Sequence, residues 1–186
     1  MNRYTAFISY RHLTPDAEVA QKLHRMIEAF SVPAGLRKKT GVRRLGRVFR
    51  DQEELPLSSN LGDDIHEALE NSDWLICVCS PKYLESRWCR EELRYFLSLG
   101  KKERVLTVLT EGEPENAFPE ELRFQTVDGQ TVEKEPLAAD VRAETGQPTT
   151  WSMRWAACLM WLMARDWLRY GAAGPDMCMT LPRTGL

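Results

Sequence analysis

The sequence predicts an α/β protein with a flavodoxin-like, three-layer fold, in which helices flank a central parallel β-sheet. Strand-like and helix-like segments alternate along the 186 residues, as they do in proteins built on a parallel sheet. Residues 74–79 form a continuous apolar run, which is typical of a strand buried on both faces. Hydrophobic residues make up 43% and charged residues 28% of the chain, a mix that indicates a globular domain with its own core.

The start of the chain predicts a strand followed by a helix. Residues 4–10 are aromatic and β-branched, which favours a strand. Thr14 is the expected N-cap of the first helix, with Pro15 at its first position and Asp16 in its first turn. Apolar side chains then recur at helical spacing until residues 31–35 break the helix.

The middle of the chain continues the alternation. Residues 44–50 predict a second strand and residues 51–60 a polar loop. The second helix has one apolar side, formed by Leu61, Ile65, Ala68 and Leu69. After the strand at 74–79, a third helix begins at Ser86, and residues 104–109 predict a fourth strand.

The last part of the chain gives weaker signals. Residues 126–132 predict a hairpin around Asp128 and Gly129. A final helix carries Trp151 and Trp155 on one face, and further tryptophans fall off that face. Such a helix either docks on something or belongs to a longer chain.

Composition and charge exclude several classes of protein. The net charge is −2 and the pI is near 6.0, so we expect no nucleic-acid partner. The five cysteines are odd in number and match no zinc or redox spacing, so we expect no metal and a reducing compartment. No signal peptide is recognisable, and the longest uncharged stretch, at 155–164, is too short for a membrane span. We therefore expect a cytoplasmic protein.

The third helix carries two adjacent glutamates whose surroundings differ. If Ser86 caps the helix, its apolar stripe faces the sheet and Glu91 lies on the opposite side, between Arg87 and Arg94. Glu91 is then expected to form a surface ion pair. Glu92 lies at the edge of the stripe, four residues after Trp88, so its carboxylate is expected to be partly desolvated. A boundary glutamate that reaches water is the alternative.

The order of elements places Glu92 near a predicted cleft. In open α/β sheets, ligands bind beyond the carboxyl ends of the strands. The cleft there is expected to hold Tyr10, Arg11, Trp88, Glu92 and the loop that begins at Asp51. One carboxylate with aromatics and an arginine suits an anionic ligand that bears a ring and a sugar. The carboxylate would either stabilise an oxocarbenium-like transition state or orient ribose hydroxyls.

These segments together resemble the Toll/interleukin-1 receptor (TIR) domain family of the bacterial type. Residues 6–12 read AFISYRH and are similar to the first box of the family. Residues 48–61 read VFRDQEELPLSSNL and resemble the second strand and the BB loop. Residues 80–93 read SPKYLESRWCREEL and resemble the third box. Residues 118–122 read FPEEL and resemble a later segment, so the resemblance covers residues 4 to about 122.

The resemblance implies an activity and a set of site residues. Enzymatic TIR domains cleave NAD+ to nicotinamide and ADP-ribose or a cyclic variant of it, with NAD+ as substrate and without a cofactor. Their catalytic glutamate corresponds to Glu92. The matching substrate-binding positions are Tyr10, Arg11, Asp51, Leu61 and Trp88. The BB-loop positions expected to serve assembly are Glu53, Leu55, Pro56 and Leu57.

The resemblance also implies partners, an organisation and an alternative. Many members complete their site only when TIR protomers stack, and bacterial members are commonly anti-phage sensors or effectors with a fused or partner module. We expect a TIR domain core at 1–140 and a Trp-rich terminal helix and tail at 141–186. The alternative function is a non-catalytic TIR scaffold that acts through self-association or partner docking, and the sequence does not separate hydrolysis from cyclisation.

Overall fold

The computed structural model describes residues 3–32, 34–41, 43–50, 61–127, 130–133 and 138–142. Three predicted segments lie outside these ranges: the BB loop at 51–60, the turn at 128–129 and the Trp-rich helix near the end of the chain.

Parallel strands form the central sheet. The described strands are β1 (Tyr4–Ser9), β2 (Val48–Phe49), β3 (Ser72–Cys79), β4 (Val105–Leu109), β5 (Phe124–Val127), β6 (Gln130–Glu133) and β7 (Ala138–Asp140). The sheet has the order β2-β1-β3-β4-β7, and each neighbouring pair is parallel. Strands β5 and β6 pair antiparallel as a separate hairpin. The predicted parallel α/β sheet and the hairpin are confirmed.

Helices cover both faces of the sheet. They are α1 (Asp16–Ala29), α2 (Ala34–Thr40), α3 (Leu61–Glu70), α4 (Pro81–Glu85), α5 (Arg87–Ser98), α6 (Pro114–Ala117) and α7 (Glu120–Arg123), with a 3₁₀ turn at Lys102–Arg104. Side chains alternate along β1, so Ala6 and Ile8 pack in the core under α1 and Phe7 packs under α3 and α5. Three layers result, as predicted. None of the helices in the described ranges is long and apolar enough to cross a bilayer.

The start of α1 differs from the prediction. The helix begins at Asp16, Pro15 occupies the cap position, and no side chain caps the helix, so Thr14 is not its N-cap. Backbone carbonyls satisfy the first amides instead: the Ala17 N–H donates to Leu13 O, and the Val19 N–H donates to Pro15 O.

The second strand is shorter than predicted. Only residues 48 and 49 pair with β1, whereas Arg44 forms an isolated bridge with Ser31. Gly46 lies between Arg44 and the paired residues 48 and 49. Its φ of 99° is in the left-handed region, and this conformation interrupts an extended strand. The structure also adds α2, α4, α6, α7 and β7, which the sequence did not predict. Strand β7 is a three-residue segment that reads AAD and has no β-branched or aromatic residue.

Candidate active site

Helix α5 carries Glu92 on its buried face. Ser86 caps this helix, because its Oγ accepts a hydrogen bond from the Cys89 N–H at 3.3 Å. That start places Cys89, Glu92, Leu93 and Phe96 inward, at spacings of three, four and seven residues from Cys89. Glu92 is 6% exposed. A carboxylate thus occupies a position that helices of this kind fill with an apolar side chain.

Glu92 is hydrogen-bonded to the end of β1. The Ser9 hydroxyl donates to Glu92 Oε2 at 2.5 Å, a short distance typical of a hydroxyl that donates to a carboxylate. Ser9 Oγ also lies 3.0 Å from the Tyr83 hydroxyl, and the Tyr83 hydroxyl lies 3.2 Å from Cys89 O. Ser9 and Tyr83 are both buried. The carboxylate is therefore held between the first strand and the segment that follows the third.

These contacts lie at the position where this topology binds ligands. Strand order reverses between β1 and β3, because β2 lies on the other side of β1. Doubly wound sheets of this order bind ligands at that point, beyond the carboxyl ends of the strands. Ser9 is the last residue of β1, and α5 follows β3 through the short helix α4. Glu92 therefore lies at the crevice of the sheet.

The structure places the predicted site residues on two sides of the sheet. Trp88 is 54% exposed and lies one turn before Glu92 on α5, and Arg11 is exposed just after β1. Tyr10 is buried in the core under α1, where its hydroxyl accepts a hydrogen bond from Arg50 Nη1 at 3.4 Å. Its side chain is thus on the opposite face from Ser9, as alternation along an extended chain requires.

The remaining predicted positions are only partly described. Leu61 is the first residue of α3, and the structure describes its backbone position. Asp51 and the BB-loop residues Glu53, Leu55, Pro56 and Leu57 lie outside the described residues. The assignments of all these residues, and of Glu92, stay predictions.

Glu91 lies on the solvent face of α5, as predicted. It is exposed and borders a surface groove together with His66, Arg87, Arg90, Arg94 and Tyr95. In the described part of the chain, Glu91 forms its predicted ion pair with neither Arg87 nor Arg94, and the Arg94 Nε donates to Glu121 Oε1 at 2.7 Å. The Tyr95 ring stacks on His66 of α3, with 3.8 Å between the ring centroids, and its hydroxyl donates to Glu70.

A second buried carboxylate, Asp16, lies on the α1 face of the sheet. The Ser80 hydroxyl donates to Asp16 Oδ2 at 2.6 Å, and the Thr110 hydroxyl donates to Asp16 Oδ1 at 2.5 Å. Ser80 and Thr110 follow the ends of β3 and β4. Burial raises the pKa of Asp16 above its ordinary value, and the two hydroxyl donors partly oppose this. Asp16 joins the start of α1 to two strand ends.

The sequence interpretation missed Ser9, Tyr83 and Asp16 as site-region residues. Ser9 had a signal, since it is a polar residue that directly follows the apolar residues Ala6, Phe7 and Ile8 at the end of the strand. Tyr83 had none, because its partners lie on β1 and α5. Among the described residues, no group of three histidine, cysteine or acidic side chains is arranged to hold a metal ion.

Comparison with known families gives the assignment. A family model described as TIR domain matches residues 6–140. The chain belongs to the TIR domain family. The match runs from the middle of β1 to the end of β7, so it contains the five-stranded sheet and the Glu92 crevice.

Individual relatives are similar over different extents. The chain is 34% identical over 114 residues to a protein named NAD(+) hydrolase ApTIR from Actinoplanes sp., a match that covers 60% of this chain and 14% of that protein. It is 24% identical to the TIR domains in the activated Roq1 resistosome, with 60% of each chain covered and a TM-score of 0.45. It is 17% identical to the TIR domain of the Toll-related receptor TRR-2 of Hydra magnipapillata, with 89% and 98% covered and a TM-score of 0.46.

Proposed function

We propose that this TIR domain cleaves NAD+ at the bond between nicotinamide and ribose, with Glu92 as the catalytic carboxylate. The observation that carries the proposal is the burial of Glu92 at the crevice between β1 and β3, where Ser9 fixes one of its oxygens. A buried carboxylate is costly for folding, and one that lies at the ligand crevice beside the exposed Trp88 is a candidate functional group. The similarity to the Actinoplanes protein, which is named an NAD(+) hydrolase, supports the same substrate.

One carboxylate is sufficient for this reaction. Nicotinamide leaves NAD+ as a neutral base, so its departure requires no proton. In an ordinary glycoside the leaving group is an oxygen that has to be protonated. Cleavage of that bond therefore uses a carboxylic acid as general acid in addition to a second carboxylate. As the bond breaks, positive charge develops on the ribose ring. The Glu92 carboxylate would stabilise that charge electrostatically, and burial strengthens the effect because little water screens it.

Two exposed side chains, one on α5 and one just after β1, would bind the rest of the substrate. Trp88 precedes Glu92 by one helical turn and offers an aromatic face for stacking with a ring. The exposed guanidinium of Arg11 would pair with the pyrophosphate. Tyr10 would act indirectly by packing the end of β1 against the core under α1. Asp51 and Leu61 are proposed to complete the pocket on the side of the BB loop.

The product depends on which nucleophile captures the ribosyl cation. Water gives ADP-ribose, whereas a nucleophile within the same molecule gives a cyclic ADP-ribose variant. We propose hydrolysis as the main reaction, with cyclisation as the alternative. Mass spectrometry of the products from purified protein and NAD+ distinguishes them, because a cyclic product is lighter than ADP-ribose by one water.

The family resemblance supports a proposal for the cellular role and the partners of the protein. We propose a cytoplasmic protein that acts in bacterial anti-phage signalling, with other TIR protomers stacked through the BB-loop residues and a fused or partner module as the trigger. A non-catalytic scaffold that uses the same stacking is the alternative function. The two differ in turnover: an assembled scaffold releases no nicotinamide.

The deciding experiment measures nicotinamide release at high protein concentration, which favours assembly. Wild type and Glu91→Ala should release nicotinamide at similar rates, because Glu91 is exposed. Glu92→Ala should be slower by several decades, since a whole catalytic group is lost. Equal rates in all three proteins would contradict the proposal, and assembly without turnover would favour the scaffold.

A further inference from the structure

Glu92 is the end of a chain of buried hydroxyl groups. Ser9 Oγ lies 2.5 Å from Glu92 Oε2 and 3.0 Å from the Tyr83 hydroxyl, which lies 3.2 Å from Cys89 O. The three side chains come from β1, α4 and α5, so three separate elements meet at these atoms. Tyr83 is fully buried, and its own N–H donates to Ser80 Oγ at 3.1 Å. The hydroxyl of Tyr83 is thus fixed at the back of the crevice.

Counting protons sets the direction of these hydrogen bonds. An ionised carboxylate only accepts, so the single Ser9 proton is donated to Glu92. The contact between Ser9 and Tyr83 then has one donor left, the Tyr83 hydroxyl, whose single proton is shared between two acceptors, Ser9 Oγ at 3.0 Å and Cys89 O at 3.2 Å. Donation from Tyr83 to Ser9 polarises the Ser9 hydroxyl and strengthens its bond to Glu92.

The neighbours of Glu92 keep this direction through the neutral pH range. The titratable groups near it include Tyr83 on α4, Cys77 on β3 and Cys89 on its own helix. Burial raises the pKa of the Cys77 thiol to about 12 and that of the Tyr83 hydroxyl well above its ordinary value. Tyr83 therefore remains a protonated donor throughout the neutral pH range.

We infer that Ser9 and Tyr83 are positioning residues that orient the Glu92 carboxylate and keep it ionised for the reaction. The inference rests on the proposed function of Glu92. Neither residue is asked to touch NAD+, because both are buried behind Glu92. Their loss should lower kcat and leave KM unchanged.

The test compares Ser9→Ala and Tyr83→Phe with matched controls. Ser72→Ala removes another buried serine hydroxyl, which donates to Ala68 O at the opposite end of the sheet. Tyr4→Phe removes the hydroxyl of a buried tyrosine near the start of β1. Ser9→Thr keeps a hydroxyl at position 9 and serves as the rescue variant.

Two readouts are needed. The first is the pH profile of nicotinamide release. Ser9→Ala should lower kcat about tenfold, since a hydrogen bond to a charged group is lost, and should move the acid limb to higher pH. Tyr83→Phe should do the same to a smaller extent, and Ser9→Thr should retain the wild-type limb. The second readout is the pH at which the ¹³C-labelled Glu92 carboxyl titrates by NMR, with Glu92→Gln to assign the signal.

The outcomes separate this inference from the proposed function. A higher titration pH in Ser9→Ala and Tyr83→Phe, with both controls unchanged, supports the positioning role, even if wild type releases no nicotinamide. Absence of turnover in wild type would overturn the proposed function alone. An unmoved titration and acid limb in both test variants, or equal shifts in the controls, would overturn the positioning role.

Discussion

Asp16 and Glu92 are two buried carboxylates at the same edge of one sheet, and their surroundings differ. Asp16 is 1% exposed and accepts two hydroxyl hydrogen bonds, from the residues that follow β3 and β4. Glu92 is 6% exposed, accepts the Ser9 hydroxyl and lies one turn from the exposed Trp88. Asp16 is enclosed by the elements that it joins, whereas Glu92 lies beside a surface aromatic. Burial alone therefore does not identify a catalytic acid, and the neighbouring surface has to be considered.

The largest effect should come from Glu92→Gln. The amide keeps the shape of the side chain and can still accept from Ser9, but it removes the negative charge that would face the ribosyl cation. We expect nicotinamide release to fall by about three decades, or about 4 kcal/mol of barrier. The thermal midpoint should change little, because a buried charge is exchanged for a neutral group. Assays of rate and thermal unfolding on the same preparation check both.

Asp16→Asn should act on stability instead. The two hydroxyl donors then face an amide, which accepts through one atom only, so part of the junction between α1 and the ends of β3 and β4 is lost. We expect the free energy of unfolding to fall by about 1–3 kcal/mol. Urea unfolding measures this. A variant as stable as wild type would contradict the structural role of Asp16.

Removal of one donor should cost less. Thr110→Val keeps the volume of the side chain and removes the hydroxyl that reaches Asp16 Oδ1 and Cys79 O. We expect a loss of about 1 kcal/mol in the free energy of unfolding. In a double-mutant cycle, Thr110→Val and Asp16→Asn together should lower the free energy of unfolding by less than the sum of their separate effects, since both changes remove the same hydrogen bond.

The smallest effect is the pH dependence that Asp16 contributes. Its pKa in the folded protein is raised above the ordinary value of 3.8 by burial, so the folded state binds a proton more tightly than the unfolded state. The stabilisation that protonated Asp16 contributes is therefore fully present below its pKa in the unfolded chain. It is lost as the pH rises through its pKa in the folded protein. The stability difference between wild type and Asp16→Asn should be largest in acid and shrink toward neutral pH. Urea unfolding at several pH values tests the sign.

The sequence predicted the local parts of this site better than the contacts across the fold. Helical periodicity with Ser86 as cap placed Cys89, Leu93 and Phe96 inward and separated Glu92 from Glu91. The bond between Ser9 and Glu92 joins residues 83 positions apart, and no local pattern encodes that pairing. Alternation of side chains also separates Ser9 from Tyr10, which follows β1 and packs in the core under α1. Gly46 shortened β2 through its backbone conformation, which propensity does not reveal.

The central claim is that Glu92 is the functional carboxylate and Asp16 the structural one. The most direct test is the nicotinamide-release rate per folded molecule of Glu92→Gln and Asp16→Asn, measured side by side below the unfolding temperature of both. We predict a folded, inactive Glu92→Gln and a less stable Asp16→Asn that retains the wild-type rate per folded molecule within a few-fold. Retained activity in Glu92→Gln, or an equal loss of rate in both variants, would contradict the claim.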